Sequence, residues 1–126
     1  MNLTLLLGRF AVCRLEAGAD VPGWALDASF FSITRTPEEL SIVTIEALVP
    51  ADVRCERSWR ALQVEGPMEF SIVGVIASLT GPLAEAGIPL FVLSTFDTDY
   101  LLVTEQNILS AVTVLTAEGH TVFRQR

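Results

Sequence analysis

Short apolar runs rich in β-branched and aromatic residues, set between turn signals, fill the first half of the chain, and apolar positions recur at helical spacing in two stretches of the second. Residues 61–70, ALQVEGPMEF, alternate at their start as a strand does. In residues 71–87, Ile72, Ile76, Leu79 and Leu83 share one helical face, with Ser71 placed to cap the start and Gly87 to end it in the left-handed region. Pro82 removes a hydrogen bond inside that stretch and predicts a kink near Thr80 and Gly81, or two short segments. Residues 88–96, IPLFVLSTF, form a nearly continuous apolar run, the pattern of a buried central strand. Asp97 and Thr98 supply a turn, residues 99–103 return as a strand, and Thr104 caps a second helix lined by Ile108, Val112 and Leu115. Gly119 follows that helix, and HTVF (120–123) makes a last strand. The predicted order is βαββαβ, the ferredoxin-like arrangement.

The first half predicts strands at LTLLL, FAVCRL, FFSITRT and LSIVTIEALV, a turn at TPEE (36–39), a loop at GADVPGW (18–24) and no long helix. FFSITRTPEELSIVT (30–44) echoes LFVLSTFDTDYLLVT (90–104) at an offset of sixty, with Phe31, Val43 and Thr44 recurring as Phe91, Val103 and Thr104. Three identities are compatible with chance in strand-rich sequence, or with a duplicated unit whose first copy has lost helix.

Composition narrows the chemistry. At 126 residues and 51 % hydrophobic, the chain suits one domain or two small units sharing a core. A formal charge of −7 argues against nucleic acid and against an anionic membrane surface. All eight basic residues are arginine, which excludes Schiff-base, P-loop and kinase lysines. The single histidine, His120, is expected to open the last strand rather than to bind metal. Cys13 and Cys55 form no CxxC pair and are expected to be reduced thiols in a cytoplasmic protein. Arg9 and Arg14 interrupt the N-terminal apolar run, so no signal peptide is expected, and Glu85, Pro82 and Pro89 break the longest weakly charged region, 70–96. No cofactor and no metal are expected.

Two carboxylates, Asp97 and Asp99, precede the strand that returns from the turn. Asp97 reads as a turn residue bonding its own backbone; Asp99 opens the strand and is the freer of the two. The N–H groups at the start of the first helix, around Ser71 to Gly74, favour an anion, and Gly74 admits close approach. Donors at a helix start and a carboxylate at a sheet end complement a zwitterion such as an amino acid.

GRFAVCRL, FFSITRTPEELSIV and the long run RALQVEGPMEFSIVGVIASLTGPLAEAGIPLFVLSTFDTDYLLV together resemble the small bacterial ACT-domain proteins related to the CASTOR-type arginine sensors of animals. The resemblance is strongest over GPLAEAGIPLFVLSTFDTDYLLV, where a helix, "GI", a strand and an S-T-F-x-x-D motif follow in order. It implies an α+β protein of two ACT-like units, a degenerate strand-rich one in residues 1–60 and an ACT domain in 61–126. It also implies a ligand site at Glu69, Gly74, Pro89, Leu90, Thr95, Phe96 and Asp99, with Asp99 rather than Asp97 holding a cationic ligand group. The animal sensors carry four such units and this chain two, so a comparable pocket implies a homodimer. The expected function is a stand-alone, non-catalytic regulatory module for an amino-acid effector. The alternative is a dimeric protein-interaction module without a small ligand; an enzyme is the third reading, with no base placed to activate either thiol.

Overall fold

The computed structural model describes residues 1–66 and 74–126. In chain order the elements are β1 (Asn2–Leu5), β2 (Phe10–Leu15), a 3₁₀ turn at Gly23–Leu26, β3 (Ser32–Arg35), β4 (Leu40–Ile45), a 3₁₀ turn at Glu46–Leu48 and β5 (Cys55–Val64). There follow α1 (Val75–Glu85), β6 (Phe91–Ser94), β7 (Asp99–Thr104), a 3₁₀ turn at Glu105–Asn107, α2 (Ile108–Ala117) and β8 (Thr121–Arg124). Two compact units emerge, Gly8–Trp59 and Met1–Leu7 with Arg60–Arg126.

The larger unit is a βαββαβ motif, β5-α1-β6-β7-α2-β8, with strand order β6-β7-β5-β1-β8. β1 is inserted between the motif's first and last strands, antiparallel to β5 and parallel to β8. Alternation decides which side chains face inward. Leu3 and Leu5, Leu62 and Val64, and Leu101 and Val103 turn to one face and meet Leu79 and Leu83 of α1 and Ile108, Ala111 and Leu115 of α2. Each large aliphatic side chain buried there contributes about 1.5–3 kcal/mol.

The helix ends follow the sequence reading. Gly87 (φ 74°) and Gly119 (φ 90°) take the left-handed conformation. Behind them, Ile88 N–H donates to the Leu83 carbonyl at 3.0 Å and His120 N–H to that of Leu115 at 3.1 Å. Other details differ. Ser71 lies outside the described residues; α1 begins after Gly74, whose φ is 82°. The helix is one segment with Pro82 inside it, not two short segments. Proline leaves the Ser78 carbonyl without its helical donor, and His120 Nε2 lies 3.2 Å from that oxygen. His120 Nδ1 sits 3.0 Å from the Met1 ammonium, which can only donate. Nδ1 therefore accepts, and Nε2 carries the proton that replaces the missing bond. Thr104 precedes a 3₁₀ turn, and its hydroxyl accepts from the Asn107 side-chain amide at 3.1 Å instead of capping a backbone N–H.

Two strands depart further from expectation. β5 starts at Cys55, six residues before the alternating stretch, because its charged opening (CERSWR) hides it. That part also carries a bulge: Ser58 has φ 65°, and its N–H donates to Glu46 Oε1 at 2.6 Å. β6, expected to be central and buried, is a four-residue strand that pairs with β7 and lies at the end of the strand order, with Val92 41 % exposed. In a βαββαβ chain the strand after the first helix falls at an edge, so a continuous apolar run there does not mean burial on both faces.

The smaller unit has strand order β3-β4-β2-β5, the same ferredoxin-like arrangement, with short 3₁₀ turns at Gly23–Leu26 and Glu46–Leu48 where helices would stand. Its core is small: Ala11, Cys13, Ala25, Leu40, Ile42 and Val49.

The internal echo is structural, at an offset one residue shorter than the sequence match. Arg35 faces Leu40 across one hairpin and Ser94 faces Asp99 across the other, both 59 residues on. Two bonds that close each turn repeat. Thr36 N–H donates to the Glu39 carbonyl at 2.9 Å and Thr95 N–H to the Thr98 carbonyl at 2.8 Å. Glu39 N–H donates to the Thr36 hydroxyl at 3.1 Å, and Thr98 N–H to the Thr95 hydroxyl at 3.2 Å. A one-residue slip would reverse the faces of both strands.

Candidate functional site

Polar chemistry in the larger unit gathers where the β6–β7 turn meets the end of β5. Threonine builds the turn, since its hydroxyl can serve the backbone N–H three residues on. Thr98 is 5 % exposed and its hydroxyl donates to the Val64 carbonyl at 2.6 Å, tying the turn to β5. Gly66 permits the approach: a Cβ there would lie 3.0 Å from both the Asp97 carbonyl oxygen and Thr98 Cβ.

Beside this junction a cleft of about 290 Å³ is lined by Gln63, Gly66, Thr95, Asp97, Thr98 and Tyr100. A second, of about 370 Å³, shares Gln63 and Gly66 and adds Asn2, Thr4, Glu65 and Phe123 from β1, the end of β5 and β8. Of these, Asn2, Thr4, Gln63, Tyr100 and Phe123 alternate along their strands with core residues, which puts them on the sheet face opposite α1 and α2. Amides, hydroxyls and the carboxylates of Glu65 and Asp97 make the surroundings hydrogen-bonding and acidic. They suit a small polar molecule with a cationic group.

The residues expected from sequence fall in several places. Thr95 lines the cleft, and its N–H bonds within the turn. Asp99 is half-buried on the shoulder of the hairpin, and its Oδ1 accepts from the Ser94 hydroxyl at 2.5 Å. Phe96 stands 81 % exposed at the turn. Pro89 is exposed and Leu90 packs at the margin of the core, both on the link from α1 to β6. Gly74 is exposed at the start of α1, with open space where a side chain would go. Glu69 lies outside the described residues. Asp97, read from sequence as a turn residue, is the aspartate that lines the cleft. Gln63, Gly66 and Tyr100 were not anticipated; Gln63, alternating with buried Leu62 and Val64, was the available signal.

Among the described residues no group of three or more His, Cys, Asp or Glu could hold a metal ion, and no helix is long and apolar enough to cross a membrane.

Comparison with known proteins places this geometry. The chain is 33 % identical over 108 residues, 79 % of its length, to the Bos taurus cytosolic arginine sensor for mTORC1 subunit 1. It is 34 % identical over 95 residues to the Homo sapiens protein of that name, covering 69 % of this chain. It spans about a third of the length of these relatives, 32 % and 29 % respectively. Protein Atu0741 of Agrobacterium tumefaciens superposes with a TM-score of 0.94 at 38 % identity, over 99 % of this chain and 93 % of that one. The regulatory subunit of aspartate kinase from Thermus thermophilus shares the fold, with a TM-score of 0.55 at 14 % identity over 87 % and 91 % of the two chains. One family model, of an N-terminal domain, matches residues 8–52. The ACT domain model matches residues 54–117, which takes in β5, both helices and the β6–β7 hairpin, and the chain belongs to the ACT-domain family.

Proposed function

We propose that this chain is a regulatory, non-catalytic cytoplasmic module whose ACT domain, residues 61–126, binds a small amino-acid effector, while residues 1–60 form a degenerate ACT-like unit. The observation that carries the reading is the acidic hairpin shoulder, Asp97 and Asp99, fastened to the end of β5 beside a polar cleft in an ACT domain. Kinship with proteins named as arginine sensors supports an amino acid as the ligand class.

In this reading Asp99 accepts hydrogen bonds from a ligand ammonium or guanidinium. The Ser94 hydroxyl occupies one lone-pair direction of the carboxylate and orients it; its two oxygens offer about four. A charge-assisted contact of this kind is worth about 1.5–3 kcal/mol. Backbone groups near Pro89, Leu90 and Thr95 hold the amino-acid end, Phe96 walls the pocket, Gly74 borders the helix entrance, and a second copy of the chain completes the site.

A thermal-shift screen of the twenty amino acids tests the reading. A ligand at 100 times its dissociation constant raises the melting temperature by several degrees, corresponding to about 2.7 kcal/mol. Asp99→Asn then weakens binding at least several-fold with the fold retained, and by more than Asp97→Asn does. A flat screen overturns the reading in favour of a dimeric protein-interaction module. The observation that favours that second reading is the edge position of β6, with Val92 41 % and Phe96 81 % exposed.

A further inference from the structure

Cys13 and Cys55 are 42 positions apart in sequence and face each other directly across the antiparallel pair of β2 and β5. The next pair outward is Arg14 and Arg54, where Arg14 N–H donates to the Arg54 carbonyl at 3.0 Å. Hydrogen-bonded and non-hydrogen-bonded pairs alternate along such a ladder, so the cysteines occupy a non-hydrogen-bonded position. There side chains approach most closely, with Cα atoms about 4.5 Å apart, inside the roughly 4.4–6.8 Å that a disulfide spans.

We infer that Cys13 and Cys55 are a two-electron redox pair, closing reversibly into a cross-strand disulfide that pins β2 to β5. Both are free thiols in this structure. The register that a disulfide needs is set by the ladder, so closure requires side-chain rotation and no shift of backbone.

The two thiols differ in a way that assigns their order of reaction. Cys13 is 2 % exposed within the core of the smaller unit. Burial first, and then the neighbouring Cys55, push its thiol up to about 11, so it remains protonated at neutral pH. Cys55 is half-buried at the start of β5 and is the sulfur that an oxidant reaches. As thiolate, Cys55 attacks one sulfur of a small-molecule disulfide such as oxidised glutathione; that S–S bond breaks and one small thiol leaves. Cys13 then gives its proton to solvent, with the Arg57 cation favouring the developing thiolate, and its sulfur attacks Cys55 Sγ. The second small thiol departs. In sum two protein thiols lose two protons and two electrons, and the oxidant is reduced to two thiols.

Incubation of the full chain with oxidised glutathione, followed by proteolysis and mass spectrometry, tests the inference. The expected product is monomeric, lighter by two hydrogen atoms, with a peptide linking Cys13 to Cys55 that dithiothreitol releases. The cross-link encloses residues 14–54 and raises the melting temperature by about 5–15 °C. In Cys13→Ser the reaction stops at a glutathione adduct on Cys55; in Cys55→Ser neither adduct nor cross-link forms. Two unmodified thiols, a lasting adduct on Cys55 of the natural chain, or a disulfide between two chains would each overturn it.

Discussion

The two β-hairpins, Ser32–Arg35 with Leu40–Ile45 and Phe91–Ser94 with Asp99–Thr104, share a four-residue turn and the same threonine bonds, yet differ in what surrounds them. At the first returning position one hairpin has Leu40, fully buried, and the other Asp99, half-buried and bonded to Ser94. At the last turn position one has Glu39 and the other Thr98, whose hydroxyl reaches the Val64 carbonyl. Both hairpins end in a 3₁₀ turn, at Glu46–Leu48 and Glu105–Asn107, and only the second continues into a helix. One scaffold has been adapted twice. In the first copy the shoulder position serves the core; in the second it carries a carboxylate beside a polar cleft.

Exchanging the shoulder residues gives the largest expected effect. Leu40→Asp places a carboxylate among Ala11, Ile42 and Val49 and destabilises the chain by at least about 4 kcal/mol, read from the urea midpoint. Asp99→Leu costs less than about 1 kcal/mol, because its site is already in part solvated. Similar losses from both would mean that the hairpins are not divided between core and site.

A smaller effect is expected at the junction that only the second hairpin makes. Gly66→Ala pushes a methyl group against the backbone at Asp97 and Thr98 and destabilises by about 1–3 kcal/mol, measured by the same urea titration. An unchanged midpoint would mean that the turn yields there and that the cleft lacks a fixed wall.

The smallest effect has the opposite sign. Thr44, the counterpart of Val103 at the 59-residue offset, has a buried hydroxyl with no hydrogen-bond partner among the described residues. Thr44→Val removes an unsatisfied group with little change of shape and raises stability by about 1 kcal/mol in thermal melts.

Much of this architecture was legible in the chain. β-Branched and aromatic runs between turn signals marked the strands of the first half, helical spacing marked α1 and α2, and Gly87 and Gly119 marked their ends. What escaped was tertiary. The apolar run at Phe91–Ser94 has the composition of a central strand and an edge position, because topology, not composition, sets a strand's neighbours. The repeat was read one residue out of register, since Phe31 and Phe91 match as letters while the turn bonds align Thr36 with Thr95. Cys13 and Cys55 read as unrelated thiols because no local spacing encodes a cross-strand register. At the candidate site the hairpin itself was visible as a motif. Gln63, Gly66 and Tyr100 were not, since they join Thr95 and Asp97 from β5, its end and β7.

The division of labour between the hairpins can be read most directly from amide NMR shifts during titration with a pool of the twenty amino acids. This account predicts perturbations concentrated in residues 94–100, with the equivalent residues 35–41 silent. A spectrum that does not move, or that moves equally in both hairpins, would contradict it.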